Sequence, residues 1–147
     1  MLTIDRIMTR NVQLIGSRES LERAAQLMDD LNIGALPVCD GRQLVGILTD
    51  RDITVRAVAA GLNPKKTSVA EVMTSRVRWC RPGDSVDMAA QQMSMTQIRR
   101  MPVLDDDCHV IGIVSLGDLA TRQREPAYVD PIGSALRDIS WPSQPDR

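Results

Sequence analysis

Two short stretches of the chain end in the same pattern of a hydroxyl followed by a carboxylate. In LVGILTDRD, residues 44–52, an apolar run ends at Thr49, and Asp52 follows three residues later. The stretch VIGIVSLGD, residues 110–118, repeats this spacing with Ser115 and Asp118. A carboxylate offers two acceptor oxygens, which suit the paired hydroxyls of a ribose, and a hydroxyl can donate to a phosphate. These four residues are therefore candidate ligand contacts.

A structural explanation of the pattern needs no ligand. Asp52 and Asp118 would cap the helices that follow, and Thr49 and Ser115 would end the strands, because aspartate is a frequent N-cap residue. A strand end that leads into a helix start also offers free backbone N–H groups, which favour anions. The hydroxyl recurs at the same spacing in both stretches, which makes capping alone a less complete explanation. Capping and ligand binding both stay open.

The two stretches belong to a tandem repeat. A copy of the sequence displaced by 65 residues matches it at twelve of the thirty-seven positions from Ile4 to Asp40. One residue inserted near 105–107 changes the displacement to 66, which aligns Asp52 with Asp118. The repeat predicts a first copy at residues 2–61, a linker at 62–68, a second copy at 69–122 and a proline-containing tail at 123–147.

Each copy predicts the element order β-α-β-β-α. In copy one, a strand at 11–15 precedes a helix with Ser20 as its N-cap, and two strands flank the turn CDGRQ at 39–43. The second helix is expected to run from Asp52 to a C-cap at Gly61. The apolar face of the first helix is predicted to consist of Leu21, Ala24, Ala25, Met28 and Leu31, matched in copy two by Val86, Ala89, Ala90 and Met93.

The size of one copy predicts how the copies pack. About sixty residues bury too little surface to be stable alone, so an α/β (α+β) fold is expected in which two pseudo-symmetric copies pack sheet to sheet and form two related clefts. Pro37 cannot donate to a sheet and predicts a strand start or an edge.

Composition excludes several classes of function. The net charge of −1 predicts no general attraction to nucleic acid or to anionic membranes. The first ten residues carry Asp5 and Arg6 and no long apolar run, which predicts neither a signal peptide nor a spanning helix and favours a cytoplasmic protein. Three cysteines without close pairing favour reduced thiols over disulfides.

The segments GALPVCDGRQLVGILTDRDI, residues 34–53, and RRMPVLDDDCHVIGIVSLGDL, residues 99–119, resemble the signature segments of CBS domains, named after cystathionine β-synthase. The likeness covers about residues 2–122, and LTDRDITVRAVAAGLNP is most similar to the small hypoxic-response type. It implies a pair module that binds an adenosine-containing ligand such as AMP, ADP, ATP, NAD or S-adenosylmethionine. Such modules commonly dimerise.

The resemblance also implies roles for single residues. Asp52 and Asp118 would hold ribose hydroxyls, and Thr49 and Ser115 would meet phosphate. The residues expected to flank adenine are Ala35, Leu36 and Pro37 in copy one and Met101 and Pro102 in copy two.

Basic residues distinguish the two expected sites. Arg51 lies beside Asp52, whereas copy two has Gly117 there and carries Arg99 and Arg100 instead. Each arginine is either a phosphate donor or a solvated surface residue. One site is therefore expected to bind a ligand much better than the other.

Other chemistries find little support in the sequence. A Walker motif fails because Asp118 stands where its lysine belongs, and the single histidine, His109, supports neither a zinc-protease motif nor a serine triad. Cys108 and His109 beside 105–107 form either a polar hairpin turn or, less favoured, a metal site. No catalytic residues or metal ligands are assigned.

Two hypotheses of function result. The first is a non-catalytic sensor that binds an adenine nucleotide, requires no cofactor for chemistry, and signals through a homodimer to an unidentified protein target. The second is an interaction or stress-response module that binds no nucleotide and in which the tail or a metal ion carries the function. In either, DPIGSALRDI at 130–139 predicts a short helix that docks on a partner subunit, and Trp141 is slightly favoured as an anchor.

Overall fold

The computed structural model describes residues 1–122 and 131–141, which form two compact units. Unit one consists of residues 13–77 and carries the Thr49–Asp52 motif. Unit two combines residues 1–12 with 78–122 and 131–141, and it carries the Ser115–Asp118 motif. The copies of the sequence repeat and the compact units therefore have different boundaries, and the domain boundaries drawn from the repeat stay a prediction.

Unit one is a three-stranded sheet with helices. Its strands are β2 (Ile15–Gly16), β3 (Ala35–Asp40) and β4 (Gln43–Thr49), in the order β2-β3-β4. The helix α1 (Leu21–Leu31) connects β2 to β3, and α2 (Asp50–Asp52) continues directly into a π-helical stretch, Ile53–Val58.

Unit two also contains a three-stranded sheet with helices, but its short strand pairs with the second strand of the hairpin and not with the first. Its strands are β1 (Thr9–Arg10), β5 (Arg100–Leu104) and β6 (Val110–Ser115), in the order β1-β6-β5. Its helices are α3 (Val86–Thr96), α4 (Leu116–Thr121) and α5 (Pro131–Ser140). Short 3₁₀ turns at Ile4–Arg6 in unit two and Val69–Glu71 in unit one precede the segments that cross β6 and β4.

Local sequence signals explain where the first helices begin and end. The hydroxyl of Ser20 accepts a hydrogen bond from the Arg23 amide at 3.1 Å, as the N-cap prediction requires, and Ser85 does the same for α3. Both helices end at a residue in the left-handed conformation, Asn32 and Gln97. The second helical stretch ends at Val58 with Ala59 as its C-cap, two residues before the predicted Gly61, and Gly61 takes the φ of +70° that glycine adopts without strain.

Each unit has its own apolar core, filled by aliphatic side chains, methionine and small residues. On α1, Leu21, Ala24 and Met28 are buried, but Ala25 and Leu31 are exposed, which corrects the predicted face. Ala90 is likewise exposed on α3. The faces are narrower than predicted because each helix covers its sheet from one side only. The largest fully buried side chains among the described residues are Leu21, Leu36, Val38, Leu48, Val69 and Val72 in unit one, and Ile4, Ile7, Val86, Met101, Val103 and Val114 in unit two.

Three predicted element boundaries were wrong. The strand expected at 11–15 is reduced to Ile15–Gly16, and the second helix begins at Asp50 rather than Asp52. Pro37 lies inside β3, the central strand of its sheet. It is tolerated because β2 pairs with β3 only from Val38 onward, so no neighbour requires an amide from Pro37 on that side.

The described residues contain no helix long and apolar enough to cross a membrane. Residues 123–130 and 142–147 of the tail, with the prolines at 126, 142 and 145, lie outside the description.

The three thiols differ in burial, which predicts their reactivity. Burial, with a smaller contribution from Asp84, raises the pKa of Cys80 to about 12, and burial and Asp40 raise the pKa of Cys39. Both therefore stay protonated near neutral pH, whereas Cys108 is exposed. A thiol-specific disulfide reagent at pH 8 is expected to label one cysteine rapidly, and all three after denaturation. Rapid labelling of all three in the native protein would contradict the burial.

Candidate functional site

The two motifs fold into the same local structure. Thr49 ends β4 with an extended backbone, and its hydroxyl accepts a hydrogen bond from the Asp52 amide at 3.1 Å. The Asp52 carboxylate in turn accepts from the Thr49 amide at 3.0 Å. In unit two, Ser115 and Asp118 form the same pair of bonds at 3.0 and 2.9 Å. Each motif is therefore a reciprocal capping box.

This geometry corrects the capping explanation given above. The N-caps are Thr49 and Ser115, and the aspartates occupy the third helical position instead of capping the helices themselves. A capping box needs a hydroxyl three residues before an acidic side chain, so its spacing is sufficient to explain the repeated pattern without a ligand. The recurrence of the hydroxyl is therefore weaker support for ligand binding than the sequence suggested.

One oxygen of each carboxylate has only long contacts. Asp52 Oδ1 lies 3.4 Å from the Thr74 hydroxyl and 4.0 Å from Arg56 Nη1. Asp118 Oδ1 lies 3.6 Å from Arg122 Nε. The side chains of Asp52 and Asp118 are 12% and 15% exposed, and in each unit the carboxylate oxygen that the capping box does not use lies beside a half-exposed guanidinium. A carboxylate next to an arginine can accept from hydroxyls while the arginine binds an anion.

Arg56 and Arg122 were missed in the sequence. They lie four residues after the two aspartates and align with each other at the displacement of 66. Each also donates to a backbone carbonyl of a crossing segment: Arg56 to those of Val72 and Met73, and Arg122 to that of Met8. The signal that would have found them is the extended pattern of hydroxyl, Asp and Arg at positions 1, 4 and 8, present in both copies.

The glycine of each motif makes room for a crossing segment. In unit one, Thr74 and Ile47 exchange two backbone hydrogen bonds of 2.9 Å, and a Cβ on Gly46 would lie 2.9 Å from the Thr74 carbonyl oxygen. In unit two, Thr9 pairs with Ile113, and a Cβ on Gly112 would lie 2.9 Å from the Thr9 carbonyl oxygen. In both units, the repeated Met-Thr dipeptide therefore pairs with the strand that ends in the motif.

The residues predicted to flank adenine differ in their position relative to the motif and in their burial. Ala35 lies opposite Thr49 across the β3–β4 pair, so the structure brings these two residues together. Pro37 and Pro102 are buried within their strands. Leu36 and Met101 are 0% exposed in the cores, so their side chains offer no accessible surface to a ligand.

The predicted arginines occupy different places. Arg100 is half-buried at the start of β5 and lies directly opposite Ser115. Arg51 is exposed in the first turn after Thr49, and Arg99 is exposed just before β5. The strand register therefore places Arg100 where it can contact a group bound at Ser115. Arg51 directly precedes Asp52 in the chain.

One cavity adjoins the motif of unit two. It has a volume of about 450 Å³ and is lined by residues 1–3, Arg6, Ile7 and Arg122. A second cavity, of about 390 Å³, lies in unit one beside Asp40 and Gly41, at the opposite end of β3 from Ala35. The space next to Arg122 is large enough for part of a small ligand.

The hairpin between β5 and β6 contains the candidate metal donors. Ligand atoms of Asp105, Asp107 and His109 all lie within 4.8 Å of one another. Asp105 Oδ1 already accepts from the amides of Asp107 and His109, both at 2.9 Å, and thereby shapes the turn. The polar hairpin that the sequence favoured accounts for these contacts.

The fold and the paired motifs define a class: a tandem pair of small α/β repeats, each with a capping box where a strand meets a helix. A family model described as "CBS domain" matches residues 4–58 and 69–125. The chain therefore belongs to the CBS-domain family, and it contains two copies of the domain. CBS pairs are regulatory modules.

Two relatives match nearly the whole chain. The CBS domain-containing protein YhcV of Bacillus subtilis is 39% identical over 140 residues, which are 95% of this chain and 96% of YhcV. Hypoxic response protein 1 of Mycobacterium tuberculosis is 37% identical over 130 residues, which are 88% and 90% of the two chains.

Solved structures with different ligands share the fold. Hypoxic Response Protein I, described with two coordinated zinc ions, has a TM-score of 0.73 at 37% identity and covers 82% of this chain and 98% of its own. The CBS domain pair of protein MJ0100, in complex with 5-methylthioadenosine and S-adenosylmethionine, has a TM-score of 0.75 at 32% identity over 82% and 94% of the two chains. CBSX2 in complex with AMP has a TM-score of 0.69 at 26% identity over 81% and 93%.

Proposed function

We propose that this protein is a non-catalytic sensor that binds an adenine nucleotide at its hydroxyl–aspartate motifs. The observation that carries the proposal is the second oxygen of Asp52 and of Asp118, which the capping box does not use and which lies beside an arginine four residues later. Capping consumes only one oxygen of each carboxylate, so a ribose can be accepted without loss of the capping box. AMP, ADP, ATP and NAD are the candidates, because solved relatives bind AMP or S-adenosylmethionine.

Signalling requires that the ligand favours one of two arrangements of the protein. We propose that the chain forms a homodimer and passes ligand occupancy to a protein target. A ligand shifts such an equilibrium only by its difference in affinity for the two states. The ligand must therefore bind one dimer arrangement more tightly than the other.

A screen of thermal stability tests the proposal. Purified protein, shown to be free of bound nucleotide, is heated with AMP, ADP, ATP, NAD or S-adenosylmethionine. A ligand at one hundred times its dissociation constant is expected to stabilise the fold by about 2.7 kcal/mol, which gives a clear rise in the midpoint. No response to any of them would overturn the proposal.

The second candidate function is an interaction module without nucleotide. The capping boxes favour it, because they give both motif aspartates a structural role. Zinc is added in a separate well of the same screen to test whether the donors at 105–109 bind a metal ion. The His109→Ala variant, which lacks one of these donors, is the matched control. A response to zinc alone, lost in that variant, would favour a metal-responsive module.

A further inference from the structure

The helix α5 packs on the motif helix of unit two. Arg137 Nε donates to the Ala120 carbonyl oxygen at 3.2 Å. Toward the other end, a Cβ added to Gly117 would lie 3.1 Å from the Cβ of Ser140. The later residue of α5 meets the earlier residue of α4, so the helices run antiparallel, and Ser140 reaches the turn between Ser115 and Asp118.

This contact depends on a difference between the two copies. Gly117 aligns with Arg51 at the displacement of 66, and both positions directly precede the motif aspartate. Because both first turns are capping boxes, the two positions correspond in space within their units. Arg51 is exposed, whereas Gly117 is half-buried under α5. Ser140 therefore occupies in unit two the place of the Arg51 side chain in unit one.

The contact of α5 with α4 leaves every residue of α5 at least partly exposed. None of the ten residues of α5, all within the described part of the chain, is buried. Its apolar side chains stay exposed: Leu136, Ile139 and the following Trp141 are 39%, 82% and 63% exposed. The exposure of Trp141 shows that it does not anchor the helix within the described residues. An element with so little buried apolar surface detaches at small cost in free energy.

We propose that α5 closes the motif of unit two, so that the motif of unit one is the nucleotide site of the resting chain. This inference rests on the proposed function. A Cβ on Gly117 would lie 3.5 Å from both the Ser115 and the Ser140 hydroxyl oxygens, so α5 stands beside the hydroxyl expected to meet phosphate. A phosphate at Ser115 competes with α5, and by linkage its binding and the docking of α5 weaken each other equally.

The test introduces the copy-one residue into copy two. Gly117→Arg displaces Ser140 and supplies the missing guanidinium, and Ser140→Arg displaces α5 without changing the motif. Gly83→Arg is the matched control, because no atom lies within 4 Å of a Cβ there. All are made in a Trp79→Phe background, where Trp141 is the single tryptophan and reports the release of α5 by a fall in its fluorescence anisotropy, because a released helix reorients more freely. AMP is titrated by calorimetry.

The parent and Gly83→Arg are expected to bind one AMP per chain. Gly117→Arg and Ser140→Arg, which displace α5, are each expected to bind two. An added Asp52→Asn change should weaken the site of the parent about 10- to 100-fold and leave one site of unchanged affinity in Gly117→Arg. Two equal sites in the parent would overturn the inference, as would one site in variants whose Trp141 anisotropy shows release. Unchanged Trp141 anisotropy in both variants would also overturn it, because the contact would not hold α5. If no variant binds AMP or another nucleotide, the proposed function itself fails.

Discussion

Replacing Gly46 by alanine is expected to lower the free energy of unfolding of unit one by about 3 kcal/mol, through overpacking and lost hydrogen bonds. The new Cβ would lie 2.5 Å from Met73 Sδ and 2.9 Å from the Thr74 carbonyl oxygen. The methionine side chain can rotate away, but the carbonyl belongs to the backbone. Relief therefore requires the segment around Thr74 to move away from Ile47 and to lose both 2.9 Å hydrogen bonds.

Gly112→Ala is expected to act in the same way on unit two, where the Thr9 carbonyl oxygen lies 2.9 Å from the new Cβ. Gly83→Ala is the control, because its Cβ would meet no atom within 4 Å. Urea denaturation, followed by circular dichroism, measures the change, with attention to separate transitions of the two units. If Gly46→Ala were as stable as Gly83→Ala, the close approach of the crossing segment would be wrong.

The sequence predicted the repeated elements well because local signals agree with the fold. Ser20 caps α1, Gly61 provides the left-handed residue shortly after the second helix, and the strands around the turn at 39–43 lie where the apolar runs are. Each of these signals acts over a few residues. A single copy is therefore sufficient to reveal it, and the second copy confirms the reading.

The composition of the compact units was not predictable from the repeat. Met8-Thr9 and Met73-Thr74 match in the sequence, but each segment pairs with a strand of the copy that it does not belong to: Thr9 with Ile113, and Thr74 with Ile47. An internal alignment reports which residues are equivalent and carries no information on which copy a segment pairs with. The glycines at 46 and 112 were the available signal, because a glycine inside a strand often marks a close backbone approach.

The candidate site was predicted in part. The sequence indicated both hydroxyl–aspartate pairs, and the structure brings Ala35 and Arg100 opposite Thr49 and Ser115. Leu36 and Met101 alternate with those residues along the strands, so they point into the cores. Strand periodicity could have separated them, because successive side chains face opposite sides of a sheet. The hydroxyl–aspartate spacing does not indicate Arg56 and Arg122, because they lie one helical turn beyond the aspartates.

Asp52→Asn separates ligand binding from capping, the two roles that the geometry allows for this carboxylate. The amide oxygen of asparagine still accepts from the Thr49 amide, so the capping box and the fold should persist. The negative charge that would accept ribose hydroxyls is lost, and AMP affinity is expected to fall about 10- to 100-fold, the scale of a lost charged hydrogen bond. Calorimetry measures the affinity, and the urea midpoint measures the fold.

The control is Asp50→Asn, which removes the same charge two residues away at an exposed position. If both variants lose affinity equally, the effect is one of general charge, and Asp52 makes no direct contact. Asp52→Ala removes the capping acceptor as well, and should also cost about 1 kcal/mol of stability. A carboxylate that only caps would show the reverse pattern: Asp52→Ala destabilises the fold, and neither substitution changes AMP binding. The two roles of the motif thus predict opposite rankings of stability and affinity, which makes this pair of substitutions decisive for the function of the chain.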